Sequence, residues 1–211
     1  MSGQSSGGDR GAWAWGRTTF AAFLLLGALA GLAACRGPRG AYDAFNRADC
    51  LPPVSLIDQD GRPVVLASLK GKPVLVDFIY TSCPGPCLLL TQKMARVAER
   101  LAPATRARLT MVSITVDPEH DGPAQLAAYI RSQRVDPRSW YFMTGPPAII
   151  ERVMANFQLR REREADGSVA HVTGIFLLGA DGHEMREYDG QVAQVATVVG
   201  DLQAILGSAR G

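Results

Sequence analysis

Two cysteines with three residues between them, Cys83 and Cys87 in FIYTSCPGPC, have the most chemistry to offer in this chain. A thiolate is both the nucleophile of disulfide exchange and a soft metal ligand. Cys83 ends an apolar run and Cys87 lies one helical turn later, so both sulfurs can face one side. Pro84 or Pro86 can open a helix at little cost, because the first amides of a helix have no partner within it. The partial positive charge of that helix end is expected to favour thiolate over thiol. Three uses are open: a structural disulfide, a redox pair, or two ligands of a metal. A bridge across so short a loop restrains the unfolded chain little, so a staple is the weakest of the three. A redox pair normally has two intervening residues rather than three.

These thiols need elements to hold them, and from Val54 strands alternate with helices. VSLIDQDGRPVVLASL reads as a hairpin turning at Asp60-Gly61. PVLVDFIY, an almost unbroken run of β-branched and aromatic residues, suits a central strand buried on both faces. Residues 86–101 carry apolar positions at helical spacing, and RLTMVSITVD is a second buried strand. GPAQLAAYIRSQ reads as a helix opened by proline, WYFMTG as a short strand and PPAIIERVMANF as another helix. HVTGIFLLGADGHEMREYDG reads as a hairpin turning at Asp181-Gly182, and QVAQVATVVGDLQAIL as the closing helix. This order predicts an α/β domain: a central, mostly parallel sheet flanked by helices, with an N-terminal β-hairpin. Cysteines at the junction of the first central strand and its helix make the arrangement similar to the thioredoxin-like fold.

Thioredoxin-like oxidoreductases typically carry a cis-proline facing the cysteines, just before a strand of their second half. No proline follows Pro147 here, and SVAHVTGIFLL puts His171 at that place. An imidazole opposite two thiols shifts the balance toward a metal. Two soft thiolates and one imidazole fit copper, as Cu(I) or Cu(II). Zinc accepts the same set, usually with a fourth ligand or water.

Taken together, DFIYTSCPGPC, ITVDPEHD, WYFMTG and AHVTGIFLLGADG resemble the SCO/SenC family of copper chaperones for cytochrome c oxidase assembly. The resemblance runs in order from about Val54 to Leu206. It implies Cys83, Cys87 and His171 as copper ligands, a Cys83–Cys87 disulfide in the oxidised apo form, and Asp117 as an acidic neighbour of the ligands. The implied partners are the copper-bearing subunit of the oxidase and a periplasmic copper donor. A thiol–disulfide reductase that keeps the oxidase's copper-site cysteines reduced remains an alternative, as does a copper or redox sensor. Leu88 stands where the family commonly has proline, and Gly85 where a bulkier or acidic residue is frequent. Neither departure removes a ligand.

Arg10 and Arg17 precede an uncharged stretch of 17 residues, Thr18 to Ala34, which ends in LAAC. Residues 1–34 read as a secretory signal whose cleavage leaves Cys35 lipid-modified, or as an uncleaved membrane anchor. Either reading puts the remainder at the periplasmic or extracytoplasmic face, held to the membrane in an oxidising compartment. Residues 35–53 read as a tether and 54–208 as the copper-binding domain. A formal net charge of +2 gives no basic footprint for nucleic acid, and the 47% hydrophobic composition is that of a globular protein. Cys50 is expected in the tether, able at most to cross-link two chains. His120 is expected at the surface of a loop and His183 in a hairpin turn. Met94, Met111, Met143 and Met154 fall on apolar faces as core residues. LRREREADG, 159–167, reads as a solvated helix end or loop leading to His171.

Overall fold

Glycines at turns and prolines at helix starts divide the chain. The computed structural model describes residues 49–208, so the leader, Cys35 and the tether through residue 48 lie outside the described residues. β1 (Ser55–Asp58) and β2 (Pro63–Val65) pair antiparallel, with Gly61 in the turn at φ +78°, where a side chain would be strained. β3 (Val74–Ile79) runs into the cysteine loop and α1 (Pro86–Arg100) leaves it. Then come a short α2 (Pro103–Arg106), β4 (Thr110–Thr115), α3 (Pro123–Gln133), β5 (Trp140–Thr144) and α4 (Pro147–Asn156). β6 (Arg161–Arg163), β7 (Val169–His171), β8 (Gly174–Leu178), β9 (Glu184–Asp189) and α5 (Val195–Ser208) complete it. Helices α1 to α4 all begin on proline, which presets the helical φ and forgoes only an amide that lacks a partner there.

Among the described residues seven strands form one sheet, in the order β2-β1-β5-β4-β3-β8-β9. The architecture is the thioredoxin-like one: a central sheet with helices packed over it. β3–β4 and β4–β5 are parallel, whereas β1–β2, β1–β5, β3–β8 and β8–β9 are antiparallel. The sheet is thus mixed, parallel at its centre rather than through most of its width. A helical crossover returns the chain parallel, and such crossovers join only β3 to β4 and β4 to β5. The two hairpins add their strands antiparallel on either side.

Every residue of β3 is buried, as its apolar run demands. Successive side chains serve opposite faces. Phe78 packs edge-on against Phe157, after α4, and Phe176 of β8. Asp77 points the other way and accepts a hydrogen bond from Ser113 Oγ at 2.5 Å, and Ser113 in turn accepts from Trp140 Nε1 at 2.9 Å. On the helical side α1 lies against α5 and α3. Met94, Met111, Met143 and Met154 are all core residues.

Two expectations need correction. Asp49–Pro53 belong to the domain, not the tether: Cys50 and Leu51 are 1% exposed, and Cys50 N–H donates to Gly182 O at 3.1 Å. Covering Leu51 beside Gly182, in the turn after β8, removes apolar surface from water. Cys50 Sγ donates to Asn156 O at 3.5 Å, and burial pushes its thiol up to about 12, so it is out of reach of a second chain. Of 159–167, expected as a solvated helix end or loop, Arg161–Arg163 are strand, and residues 164–167 are the exposed turn that follows. β6 and β7 form a separate two-stranded sheet, turning at Gly167 with φ +85°. No helix among the described residues is long and apolar enough to cross a membrane.

Candidate metal centre

The end of β3 and the start of α1 set the two thiols. Cys83 N–H donates to Tyr80 O at 3.3 Å, which turns the chain as it leaves the sheet. Cys87, in the first turn of α1, donates its backbone N–H to Cys83 Sγ at 3.4 Å. Both residues are thiols rather than a disulfide. They are also well covered: Cys83 is 6% exposed and Cys87 fully buried. Burial, with the neighbouring Cys83 sulfur adding to it, pushes the Cys87 thiol far up. The helix end therefore does not make Cys87 a ready thiolate, because desolvation outweighs the local dipole.

β7 brings in the imidazole. His171 Nδ1 lies 3.0 Å from Val172 O, and a carbonyl can only accept, so Nδ1 carries the proton and Nε2 keeps its lone pair. Nε2 stands 3.9 Å from Cys87 Sγ. Desolvation lowers the His171 pKa and keeps the ring neutral at pH 7. Tyr80 packs edge-on to this ring, with centroids 6.0 Å apart. Among the described residues no three His, Cys, Asp or Glu side chains converge into a ready-made ion cage. Cys87 pairs with His171, and Cys83 with the Cys87 amide. Two thiols and an unprotonated imidazole nitrogen make a donor set suited to a soft ion.

Asp117, the expected acidic neighbour of the ligands, bonds to groups other than the ligands. Its carboxylate accepts from Arg163 Nη2 and from His120 Nδ1 at 2.9 Å, and no hydrogen bond links it to Cys83, Cys87 or His171 among the described residues. Its influence runs through the β6–β7 hairpin. His120 is a surface group facing that carboxylate, and His183 lies in the β8–β9 connection, where it bridges to Asp49. Leu88, at the place of the family's proline, packs on the core, and a Cβ at Gly85 would meet nothing within 4 Å.

Sequence reasoning misses three supporting groups. Asp121, 1% exposed, accepts Thr81 N–H at 2.9 Å and the hydroxyls of Thr81 and Thr115 at 2.5 and 2.6 Å, pinning the loop's entry. Tyr129 OH donates to Cys87 O at 3.3 Å and meets Thr91 Oγ1 at 2.8 Å. Tyr80 walls off the imidazole. Asp121 could have been found as the last acid of DPEHD; the tyrosines carry no comparable signal.

Known proteins share this sequence and fold. The model of the family described as SCO1/SenC matches residues 43–207. The SCO1 protein homolog of Bacillus subtilis is 33% identical over 141 residues, covering 65% of this chain and 72% of that protein. The structure of Bradyrhizobium japonicum ScoI with copper bound superposes with a TM-score of 0.61 at 28% identity, covering 73% of this chain and 98% of that one. BsSco, described with a disulfide switch and as a member of the Sco family of cytochrome c oxidase assembly proteins, gives 0.65 at 29% identity, over 74% and 93%.

Proposed function

Because the chain belongs to the SCO1/SenC family, we propose that it is an exported copper-binding chaperone that delivers copper to the binuclear centre of cytochrome c oxidase. Cys83 and Cys87 hold the ion as thiolates and His171 holds it through Nε2. One observation carries this reading: Nε2, with its lone pair available, stands 3.9 Å from Cys87 Sγ although the two residues are 84 apart in sequence. Copper bound to Bradyrhizobium japonicum ScoI, and the oxidase-assembly role given to BsSco, support the cargo and the destination.

Binding as two thiolates displaces two thiol protons, so affinity rises with pH across the neutral range, the more so because burial holds the Cys87 proton tightly. The partners are the oxidase's copper-bearing subunit and a periplasmic copper donor. The membrane is reached through lipid on Cys35 or through an uncleaved leader. The test is anaerobic Cu(I) competition on the reduced full-length protein, with and without His171→Ala. Tight one-to-one binding that weakens sharply in the variant supports the reading. Binding indifferent to His171 sinks it.

A second reading is favoured by the unequal access of the two sulfurs, Cys83 being 6% exposed and Cys87 fully buried. As a thiol–disulfide reductase, the more accessible Cys83 attacks a partner disulfide. Cys87 then resolves the mixed disulfide, so the partner leaves as a dithiol and this chain as the Cys83–Cys87 disulfide. His171→Ala separates the readings, since it removes a copper ligand and leaves both exchanging sulfurs in place.

A further inference from the structure

Arg161 lies directly across from His171 in the β6–β7 ladder. That hairpin shares no ladder with the seven-stranded sheet. A lone two-stranded hairpin is marginal in water, so something else must fix where it sits. Part of the hold is apolar, from buried Leu159 and Val169 at its ends. The rest is ionic, from the two arginines of β6: Arg163 reaches Asp117, and the more deeply buried Arg161 makes the larger clasp. The Arg161 side chain is 13% exposed, and its Nη1 and Nη2 fork onto the two carboxylate oxygens of Glu119, both at 2.7 Å. Nη1 also donates to Val116 O at 3.0 Å and Nη2 to Glu151 at 3.1 Å. Val116 follows β4 and donates its own N–H to Ile79 O at 2.8 Å, at the end of β3 where the cysteine loop begins. The same guanidinium thus ties the histidine strand to the sheet end that carries the thiols. Arg161 also holds the Glu119 carboxyl down to about 2, so the fork stays charged at neutral pH.

We propose that Arg161 is a positioning residue for the metal centre: its clasp on Glu119 and Glu151 docks the β6–β7 hairpin and thereby holds His171 over Cys87. Arg161 touches neither the thiols nor the ion. It acts through the imidazole on the paired strand, as groups behind metal ligands do when they fix a ligand's orientation. The planar fork matters because a carboxylate gripped at two oxygens fixes direction as well as distance, which a lysine ammonium does not.

The test has two arms, both on full-length protein in detergent, and only the second rests on the copper reading. In the metal-free arm, histidine-labelled protein reports the ring-current shift that Tyr80 imposes on the His171 protons and their cross-peaks to the Tyr80 ring. Arg161→Ala should move that shift to the position of a free imidazole and abolish the cross-peaks. Glu119→Gln, which cuts the clasp from the other side, should do so partly, and Arg161→Lys should restore only part of the wild-type signal. In the copper arm, Arg161→Ala should weaken Cu(I) binding on the order of tenfold, and by nothing further in a His171→Ala background. Unchanged His171 signals in Arg161→Ala and Glu119→Gln overturn the proposal. So does an equal loss of affinity with and without His171, which is what general destabilisation produces. Should His171→Ala alone leave copper binding intact, the copper reading fails and the metal-free arm still decides the role of Arg161.

Discussion

Asp77 works against the stability of its own sheet. It is buried in β3, its second carboxylate oxygen has no hydrogen-bond partner, and burial lifts its carboxyl from the ordinary 3.8 to about 7. The folded protein therefore keeps a proton that the unfolded chain gives up between these values. Stability falls as pH rises through that window and levels off above it, by about 4 kcal/mol in all. Asp77→Asn keeps the shape and an acceptor for Ser113 without the charge. It should raise Tm at pH 8 and change it little at pH 4, as thermal denaturation can read directly. An equal shift at both pH values would show that ionisation is not the cause. PVLVDFIY hides this, because Asp77 sits inside a run whose apolar pattern predicts the strand correctly. Cys83, Cys87 and His171 are legible because few residue types do soft-metal or thiol chemistry. Tyr80, Tyr129 and Asp121 are not, because their roles lie in which neighbours they meet.

The elements divide by what drives them. β3, β4 and α1 are legible because burial stamps a period or an unbroken apolar run on the sequence. β6 reads Arg-Glu-Arg and has no such stamp; it is a strand because β7 pairs with it and because Glu119 and Asp117 answer its arginines. The Glu119 carboxyl is depressed from 4.5 to about 2, so its contribution is complete above pH 4.5 and is lost as pH falls toward 2. Hydrogen exchange should then find β6–β7 amides protected at pH 5 and opening toward pH 2 before those of β3 and β4. Opening of all strands together would show that the clasp does not govern the hairpin. The cysteine loop depends on a different joint. Asp121→Ala leaves the Thr81 amide and two threonine hydroxyls without their acceptor, at a cost of roughly 2–3 kcal/mol. The loss should appear as a lower Tm and as faster exchange at Thr81. A variant with Thr81 exchange as slow as wild type would mean the loop is held by the Tyr80–Cys83 turn alone.

The whole molecule brings together thiols and an imidazole that the chain separates by 84 residues, through strands that are neighbours only in space: β3 beside β8, with β7 just ahead of it. An ion held by Cys83, Cys87 and His171, as proposed, would close that long loop and dock the hairpin, which the unfolded chain cannot reproduce. A Cys83–Cys87 disulfide closes only a five-residue loop and leaves His171 out. The two states of the cysteines should therefore differ in global stability, not only in chemistry. Free Cu(I) at one hundred times its Kd should add about 2.7 kcal/mol, seen as a Tm that climbs with ion concentration and returns on chelation. Oxidising the pair without metal should add a smaller increment, about 2 kcal/mol for so short a loop, and one that does not climb with ion concentration. His171→Ala should shrink the copper increment while leaving the effect of oxidation unchanged, since it removes the long-range tie and keeps both sulfurs. Should oxidation stabilise the protein more than copper does, the cysteines serve the fold as a staple, and the three side chains do not act as one site.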